Sequence, residues 1–167
     1  KKKSTPSLQK DEYILLRSMI KEQWLINISD CDILTGLRLG ELWNLKWSYS
    51  DMDKSLMKIE SDDEYSVKHG KMLTLPLHDE AKAILTKLDR MGDYVFVKED
   101  GTRPPSQFIS KKFKSYIRAA GLPEEYHFHS FRWLQGRDPC WYKDCKGYHE
   151  SNTHPSFHKY RKLLSVL

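Results

Sequence analysis

The sequence predicts an α+β fold that is mostly helical and carries a small antiparallel sheet. Three stretches repeat apolar residues every three to four positions, as amphipathic helices do, and they begin near Ser7, Asp79 and Ser106. Between the first two, short apolar segments typical of strands appear. With 167 residues, the chain is long enough for one well-buried core and short for two domains.

The first helical stretch leads into a glycine break. Its apolar residues are Tyr13, Leu16, Ile20 and Trp24. Their spacing predicts one amphipathic helix, and residues 25–34 continue as a largely apolar run. Gly36 should separate this run from a second helix, because glycine commonly follows a helix end. Arg38 then lies near the start of the second helix.

The middle of the chain predicts a small meander. Residues 56–60 and 71–77 have strand character, and a polar run at 61–66 with a turn at His69 and Gly70 separates them. Pro76 confines the last strand to an edge or an end, since proline cannot donate to a sheet ladder. Residues 94–97 predict a further short strand segment.

Two helices are predicted in the second half. The helix from Asp79 places Ala83, Ile84 and Leu88 on one face, and Ser106 is expected to cap the next helix, which ends near Gly121. The apolar stripe of that helix consists of Ile109, Phe113, Tyr116, Ile117 and Ala120. Its basic residues are Lys111, Lys112, Lys114 and Arg118. They form either an ordinary solvated face or, if DNA lies nearby, a face that follows phosphates.

Composition narrows the class of protein. Lys and Arg number 28 against 23 Asp and Glu, and the formal net charge of +5 favours an acidic partner only weakly. No apolar run approaches the ~20 residues that cross a bilayer, and no signal-peptide pattern opens the chain. Three cysteines imply no disulfide framework, so we expect a reducing, cytoplasmic setting. Since Lys1 has no preceding Met, we expect an upstream domain.

Three separated segments contain the candidate chemistry. Residues 35–42 contain Arg38 and Glu41, residues 67–77 contain Lys68, and residues 126–132 contain His129 and Arg132. Each segment alone has a plainer interpretation. An arginine after a glycine turn commonly caps a helix, a lysine beside a turn is ordinary in a hairpin, and two residues three apart commonly meet on a helix face.

In combination, the three segments resemble the catalytic domain of tyrosine recombinases, the phage integrase family. That family carries a TGLR-x-x-E segment, a lysine in a β-hairpin that reads like TKTGK-x-x-x-VPL, and an H-x-x-R box, in this order. The hairpin match extends over residues 67–77, and the whole resemblance covers residues 8–132. It implies a mostly helical catalytic domain with a three-stranded antiparallel sheet, as in DNA breaking-rejoining enzymes.

The resemblance also implies a chemistry. In the family, a tyrosine hydroxyl attacks a DNA phosphate, forms a 3′-phosphotyrosyl link and releases a 5′-hydroxyl. Arg38 and Arg132 would clamp the phosphate, because a planar guanidinium holds two oxygens and stabilises the charge of the transition state. Lys68 would protonate the leaving oxygen, and His129 would assist proton transfer at the attacking hydroxyl. Glu41 would orient the pocket, and neither a metal nor another cofactor is expected.

After Arg132 the sequence departs from the family pattern. Residues 133–140 do not resemble the helix that follows in the family. Among the later tyrosines, Tyr160 comes nearest to the expected position of the nucleophile, but Ser151 stands where the family has a histidine or tryptophan. One interpretation makes Tyr160 the nucleophile, with His149 or His154 as the second pocket histidine.

Two other interpretations of the tail stay open. A small zinc site has the ligand types it needs, although their spacing matches no common zinc finger. Its ligands would be Cys140, Cys145, His149 and His154. Alternatively, the tail is not the family's own, through a degenerate copy or a changed reading frame, and the nucleophile is lacking.

The resemblance implies site-specific recombination, the integration or excision of a mobile element such as a prophage. We expect a linker or tail at residues 1–8, the catalytic domain at 9–132, and an atypical segment at 133–167 that carries the nucleophile. The partners that the resemblance implies are double-stranded DNA and further copies of the chain, assembled as a tetramer on DNA, and we expect this nucleoid DNA to lie in the cytoplasm. We expect no membrane partner. The alternatives are a catalytically incomplete DNA-binding module and a type IB topoisomerase-like enzyme.

Overall fold

The computed structural model describes residues 8–60, 73–77 and 79–133, apart from the side chains at positions 73, 129, 132 and 133. The α-helices in these ranges are α1 (Lys10–Met19), α2 (Gln23–Thr35), α3 (Leu39–Trp43), α4 (Asp79–Thr86) and α5 (Ser106–Ala119). The strands are β1 (Ser50–Asp51), β2 (Leu56–Ile59) and β3 (Leu73–Pro76). Two 3₁₀ helices are η1 (Trp47–Tyr49) and η2 (Phe128–Trp133). The predicted α+β class is confirmed.

The sheet is antiparallel, with the strand order β1-β2-β3. Met57 of β2 pairs with both Ser50 and Leu75. Met57 and Ile59 are buried while Lys58 between them is exposed, as expected for a strand with one face on the core. β3 lies at an edge and ends at Pro76, which agrees with the sequence-based expectation.

The predicted continuous helix through residues 13–24 is wrong. α1 ends at Met19, and Ile20 has extended backbone angles (φ −69°, ψ 126°) before α2 begins at Gln23. Ile20 and Trp24 are both buried, so the apolar spacing continues across the break because both helices pack on the same core. Periodicity alone therefore could not reveal the turn.

α2 and α5 supply much of the core. Nine residues of α2 are buried. α5 buries Ile109, Phe113 and Ile117. Removing each such side chain from water stabilises the folded state by about 1.5–3 kcal/mol. The predicted serine cap of α5 is wrong, because the N-cap position is Pro105 and no side-chain cap bond forms there.

Two smaller expectations also need correction. The buried side of α4 is formed by Ala81 and Leu85, whereas Ala83, expected on that face, is exposed. The segment at 94–97 forms a single antiparallel bridge between Tyr94 and Lys46 instead of a strand. It still packs on the core, and burial of apolar side chains explains its strand-like composition.

Candidate functional site: a buried carboxylate holds Arg38

The turn between α2 and α3 places Arg38 at the start of a helix. Gly36 ends α2 in the left-handed region (φ 66°), which glycine adopts without a steric cost. The Thr35 hydroxyl donates to the carbonyl of Cys31 at 2.6 Å, and the side chain of Leu37 is buried. Arg38 is then the N-cap residue of α3. The predicted break at Gly36 and the position of Arg38 are confirmed.

Glu41 fixes Arg38 through both of its carboxylate oxygens. The backbone N–H of Arg38 donates to Oε2 at 2.6 Å, and its Nη1 donates to Oε1 at 2.7 Å. The Glu41 side chain is 6% exposed and that of Arg38 is 36% exposed. The carboxylate is thus enclosed in the protein, while the guanidinium reaches the surface.

The guanidinium keeps the capacity to bind an anion. Arginine has five N–H donors in a planar fork, suited to two phosphate oxygens at once. Among the described residues, only its Nη1 group has a side-chain partner, namely Glu41. Because Glu41 already holds the guanidinium of Arg38 in one orientation, binding a phosphate there would cost less side-chain entropy.

The pairing of β2 with β3 tests part of the hairpin that the sequence predicts around Lys68. Ile59 pairs with Leu73, so the two strands are antiparallel neighbours on either side of the intervening segment. The antiparallel pairing predicted from the sequence is confirmed. Lys68 itself lies outside the described residues.

The H-x-x-R segment forms η2, which is anchored through its aromatic residues. Phe131 is fully buried, with ring centroids 5.3 Å from Tyr13, 4.9 Å from Phe113 and 5.2 Å from Phe128, all edge-on. Such pairs contribute about 0.5–1.5 kcal/mol beyond the burial of area. Ser130 closes the turn, since its backbone N–H donates to the carbonyl of His127 at 2.7 Å.

The 3₁₀ geometry of η2 places the His and Arg positions of the H-x-x-R segment and the two phenylalanine positions on different sides of the backbone. Residues three apart lie above each other in a 3₁₀ helix, so positions 129 and 132 share one side of the backbone and positions 128 and 131 share another. The side chains of His129 and Arg132 lie outside the described ones. The roles predicted for His129 and Arg132 therefore stay predictions.

Below η2 lies a buried polar network that sequence reasoning missed. Tyr13 donates to the carboxylate of Asp30, and Arg17 donates to the same carboxylate from Nε and Nη2 at 3.1–3.2 Å. Burial, together with the neighbouring Asp30 charge, raises the pKa of Tyr13 well above its usual value. The sequence offered one indication of this network, namely the position of Asp30 inside the largely apolar run 25–34, because a buried carboxylate needs hydrogen-bond partners.

Three of the four basic residues of α5 have defined partners. Lys112 binds the Glu22 carboxylate at 2.6 Å, Lys114 donates to the backbone carbonyls of residues 124 and 126, and Arg118 pairs with Glu124 at 3.3 Å. Burial alone would raise the pKa of Glu22, but hydrogen bonds from Lys112 and Tyr116 hold it below its usual value. These contacts join α5 to the α1–α2 turn and to the segment before η2.

Lys111 differs from its neighbours. It is exposed and has no hydrogen-bond or ion-pair partner among the residues that the structure describes. The four basic residues predicted for DNA contact are therefore not equivalent.

The residues predicted in the tail lie outside the described part. They are Tyr160, His149 and His154, and the zinc ligands considered with them, Cys140 and Cys145. Within residues 8–60, 73–77 and 79–133, no cluster of three or more potential metal-binding side chains occurs. No helix in the same ranges has the length and apolar character required to cross a membrane.

Comparison with solved structures identifies similar folds. A lambda integrase dimer bound to a COC′ core site is 24% identical, with 80% of this chain and 52% of that chain covered and a TM-score of 0.65. The lambda integrase catalytic core is 24% identical over 77% of this chain and 83% of that chain, with a TM-score of 0.61. The integrase from mycobacterium phage Brujita is 20% identical, covering 81% and 45% of the two chains, with a TM-score of 0.60.

The chain spans about half the length of the first of these integrases. A search of the curated proteins finds no match. The family model of the phage integrase family matches residues 8–136. This range contains Arg38, Glu41, Lys68, His129 and Arg132, and it extends over more than half of the sequence. The chain belongs to the phage integrase family.

Proposed function

We propose that this domain carries out site-specific DNA recombination by tyrosine-mediated strand cleavage and rejoining. The observation that carries the proposal is the Arg38–Glu41 unit, in which a buried carboxylate aims a surface guanidinium. Fixed positive donors lower the barrier of phosphoryl transfer, because negative charge spreads over the phosphate oxygens in the transition state. Membership in the phage integrase family supports this role.

The remaining machinery is proposed from the family pattern. Arg132 is the second phosphate clamp, Lys68 is the general acid for the leaving 5′-oxygen, and His129 assists proton transfer at the attacking hydroxyl. Tyr160 is the proposed nucleophile, which forms the 3′-phosphotyrosyl link. His149 or His154 is its proposed companion in the pocket.

The proposed substrate is duplex DNA, bound mainly through phosphates. Among the basic residues of α5, Lys111 is the strongest candidate for binding a phosphate, because Lys112, Lys114 and Arg118 already have protein partners. Phosphate binding by those three would first require an existing ion pair or hydrogen bond to be exchanged. Replacing a lysine that binds a phosphate should reduce the salt dependence of DNA binding.

We further propose assembly as a tetramer on nucleoid DNA in the cytoplasm. Two solved lambda integrase structures support this, one a dimer bound to a core site and one a tetramer bound to a Holliday junction. The domain division proposed here is a linker or tail at 1–8, a catalytic domain at 9–132, and a segment at 133–167 with the nucleophile. The biological task is integration or excision of a mobile element.

Covalent trapping tests the function. A duplex selected for binding from a random-sequence library would carry a nick beside the cleaved phosphate, so that the released fragment diffuses away and the protein–DNA adduct accumulates. We expect an adduct that survives denaturation with the wild-type chain and none with Arg38→Ala. Arg90→Ala, which removes an exposed arginine that stacks on Trp47, should form the adduct normally.

Further outcomes separate the alternatives. An adduct with Tyr160→Phe would show that another tyrosine is the nucleophile. Binding of duplex without any adduct from the wild-type chain would support a DNA-binding module. Relaxation of supercoils by a monomer, without strand exchange between sites, would support a topoisomerase-like enzyme.

A further inference from the structure

α3 is too short to hold its own position. It has five residues, from Leu39 to Trp43, and helices of this length are unstable alone because so few internal hydrogen bonds form. Its final carbonyls have no partner within the helix. Arg38 is the N-cap residue of this helix, so its position depends on how α3 is held.

Arg103, from the segment before α5, binds that far end. Its Nη2 donates to the backbone carbonyl of Trp43 at 2.5 Å and to the side-chain oxygen of Asn44 at 3.3 Å. Asn44 in turn donates from its side chain to the carbonyl of Gly40 at 2.8 Å. A cation at this end is also favoured by the partial negative charge of the helix C-terminus.

The guanidinium of Arg103 is itself held in place by aromatic rings. Its central carbon lies 3.2 Å from the ring centroid of Tyr94 and 5.2 Å from that of Trp43. Tyr94 is fixed to the segment that follows α3 through its bridge with Lys46, and the N–H of Val95 donates to the carbonyl of residue 45 at 2.9 Å. Arg103 thus joins α3 to the segment that contains Tyr94, outside the helix.

We propose that Arg103 is a positioning residue for the phosphate clamp and acts through α3 on Arg38. The helix is fixed at one end by Glu41, which accepts from the Arg38 N–H, and at the other by Arg103. At a rise of about 1.5 Å per residue, the two ends are only about 7.5 Å apart. A small tilt of α3 therefore displaces the guanidinium of Arg38. This inference rests on the proposed function of Arg38 in phosphate binding.

Three variants test the proposal. Arg103→Ala removes the donors and the stacked cation, whereas Arg103→Lys keeps the charge and one donating nitrogen but loses the planar guanidinium. Arg90→Ala is the matched control, because it removes an exposed arginine stacked 4.8 Å from the Trp47 ring and no contact with α3. All three are made in the full chain.

Hydrogen exchange of α3 is the first measurement and needs no DNA. The reporters are the amides of Leu42 and Asn44, which donate to the carbonyls of Arg38 and Gly40 at 2.9 and 3.1 Å, with the amides of α5 as an internal reference. We expect exchange in α3 to become about tenfold faster in Arg103→Ala, as for the loss of one hydrogen bond to a charged group. Arg103→Lys should be intermediate, and Arg90→Ala unchanged. Equal acceleration in α3 and α5, or none, would overturn the proposal.

Single-turnover cleavage at saturating nicked duplex is the second measurement. We expect Arg103→Ala to lower the cleavage rate by roughly 100-fold, as a displacement of ~1 Å can, with the DNA dissociation constant unchanged and partial rescue by Arg103→Lys. Weaker DNA binding with normal cleavage at saturation would instead make Arg103 a direct phosphate contact and would refute the positioning role. If the wild-type chain cleaves no DNA, the proposed function fails, and hydrogen exchange alone decides whether Arg103 holds α3.

Discussion

Glu41 offers the sharpest test of the site, because its carboxylate has two separate tasks. It accepts the backbone N–H of Arg38 and the Nη1 of the same residue, at 2.6 and 2.7 Å. Glu41→Ala removes both bonds. Glu41→Gln keeps the shape and one acceptor oxygen but removes the charge.

The expected loss in the free energy of unfolding follows from the two hydrogen bonds and from the exposure of the residues that form them. A hydrogen bond to a charged group contributes about 1.5–3 kcal/mol and a helix N-cap interaction about 1 kcal/mol. Arg38 is 36% exposed, so water replaces part of what it loses. We therefore expect Glu41→Ala to lower the free energy of unfolding by about 2–4 kcal/mol, and Glu41→Gln by about 1–2 kcal/mol.

Urea and thermal unfolding, followed by tryptophan fluorescence, measure these changes. In a chain of this size, the alanine variant should melt roughly 5–15 °C below the wild type. Glu124→Ala is the matched control, since Glu124 also pairs with an arginine but is 69% exposed, and it should leave the midpoint unchanged. If Glu41→Ala and Glu124→Ala unfold alike, Glu41 does not hold Arg38 as described.

Three further results are expected. The free energy of unfolding should fall as the pH rises above ~10, because burial and the nearby Asp30 raise the pKa of Tyr13 and the tyrosine of the unfolded chain ionises first. In Tyr13→Phe this loss of stability should be smaller. An identical pH profile in the two proteins would contradict the raised pKa of Tyr13. Lys112→Ala should lower the free energy of unfolding in urea, because it removes the ion pair with Glu22. Lys111→Ala should weaken DNA binding and its salt dependence, measured by titration with duplex at several salt concentrations. The reverse pattern would contradict the assignment of Lys112 to stability and Lys111 to DNA binding. Burial raises the pKa of the Cys31 thiol, so mass spectrometry should find Cys31 unmodified by iodoacetamide until urea unfolds the chain, and rapid labelling in the native state would disprove its burial.

The sequence determined the fold class, the turn at Gly36 and the place of Arg38, because local rules govern them. Glycine permits the left-handed turn, Pro76 limits β3 to an edge, and apolar spacing marks α4 and α5. The order of the three chemical segments also sufficed to indicate the family. The turn, the edge strand and the helices depend on residues that are neighbours in the chain, and the family pattern can be read along the sequence without knowing how its segments pack.

Only the tertiary structure decided which polar groups meet across the chain. The Lys112–Glu22 ion pair joins residues 90 positions apart, and the contact between Arg103 and the end of α3 spans 60 positions. No periodicity records such pairs, since they depend on how helices pack. The sequence did not reveal the break at Ile20, because α1 and α2 pack on the same core and the apolar spacing continues from one helix to the next. Tertiary contacts likewise gave Lys112, Lys114 and Arg118 of α5 partners within the protein, and they brought Arg103 to the end of α3.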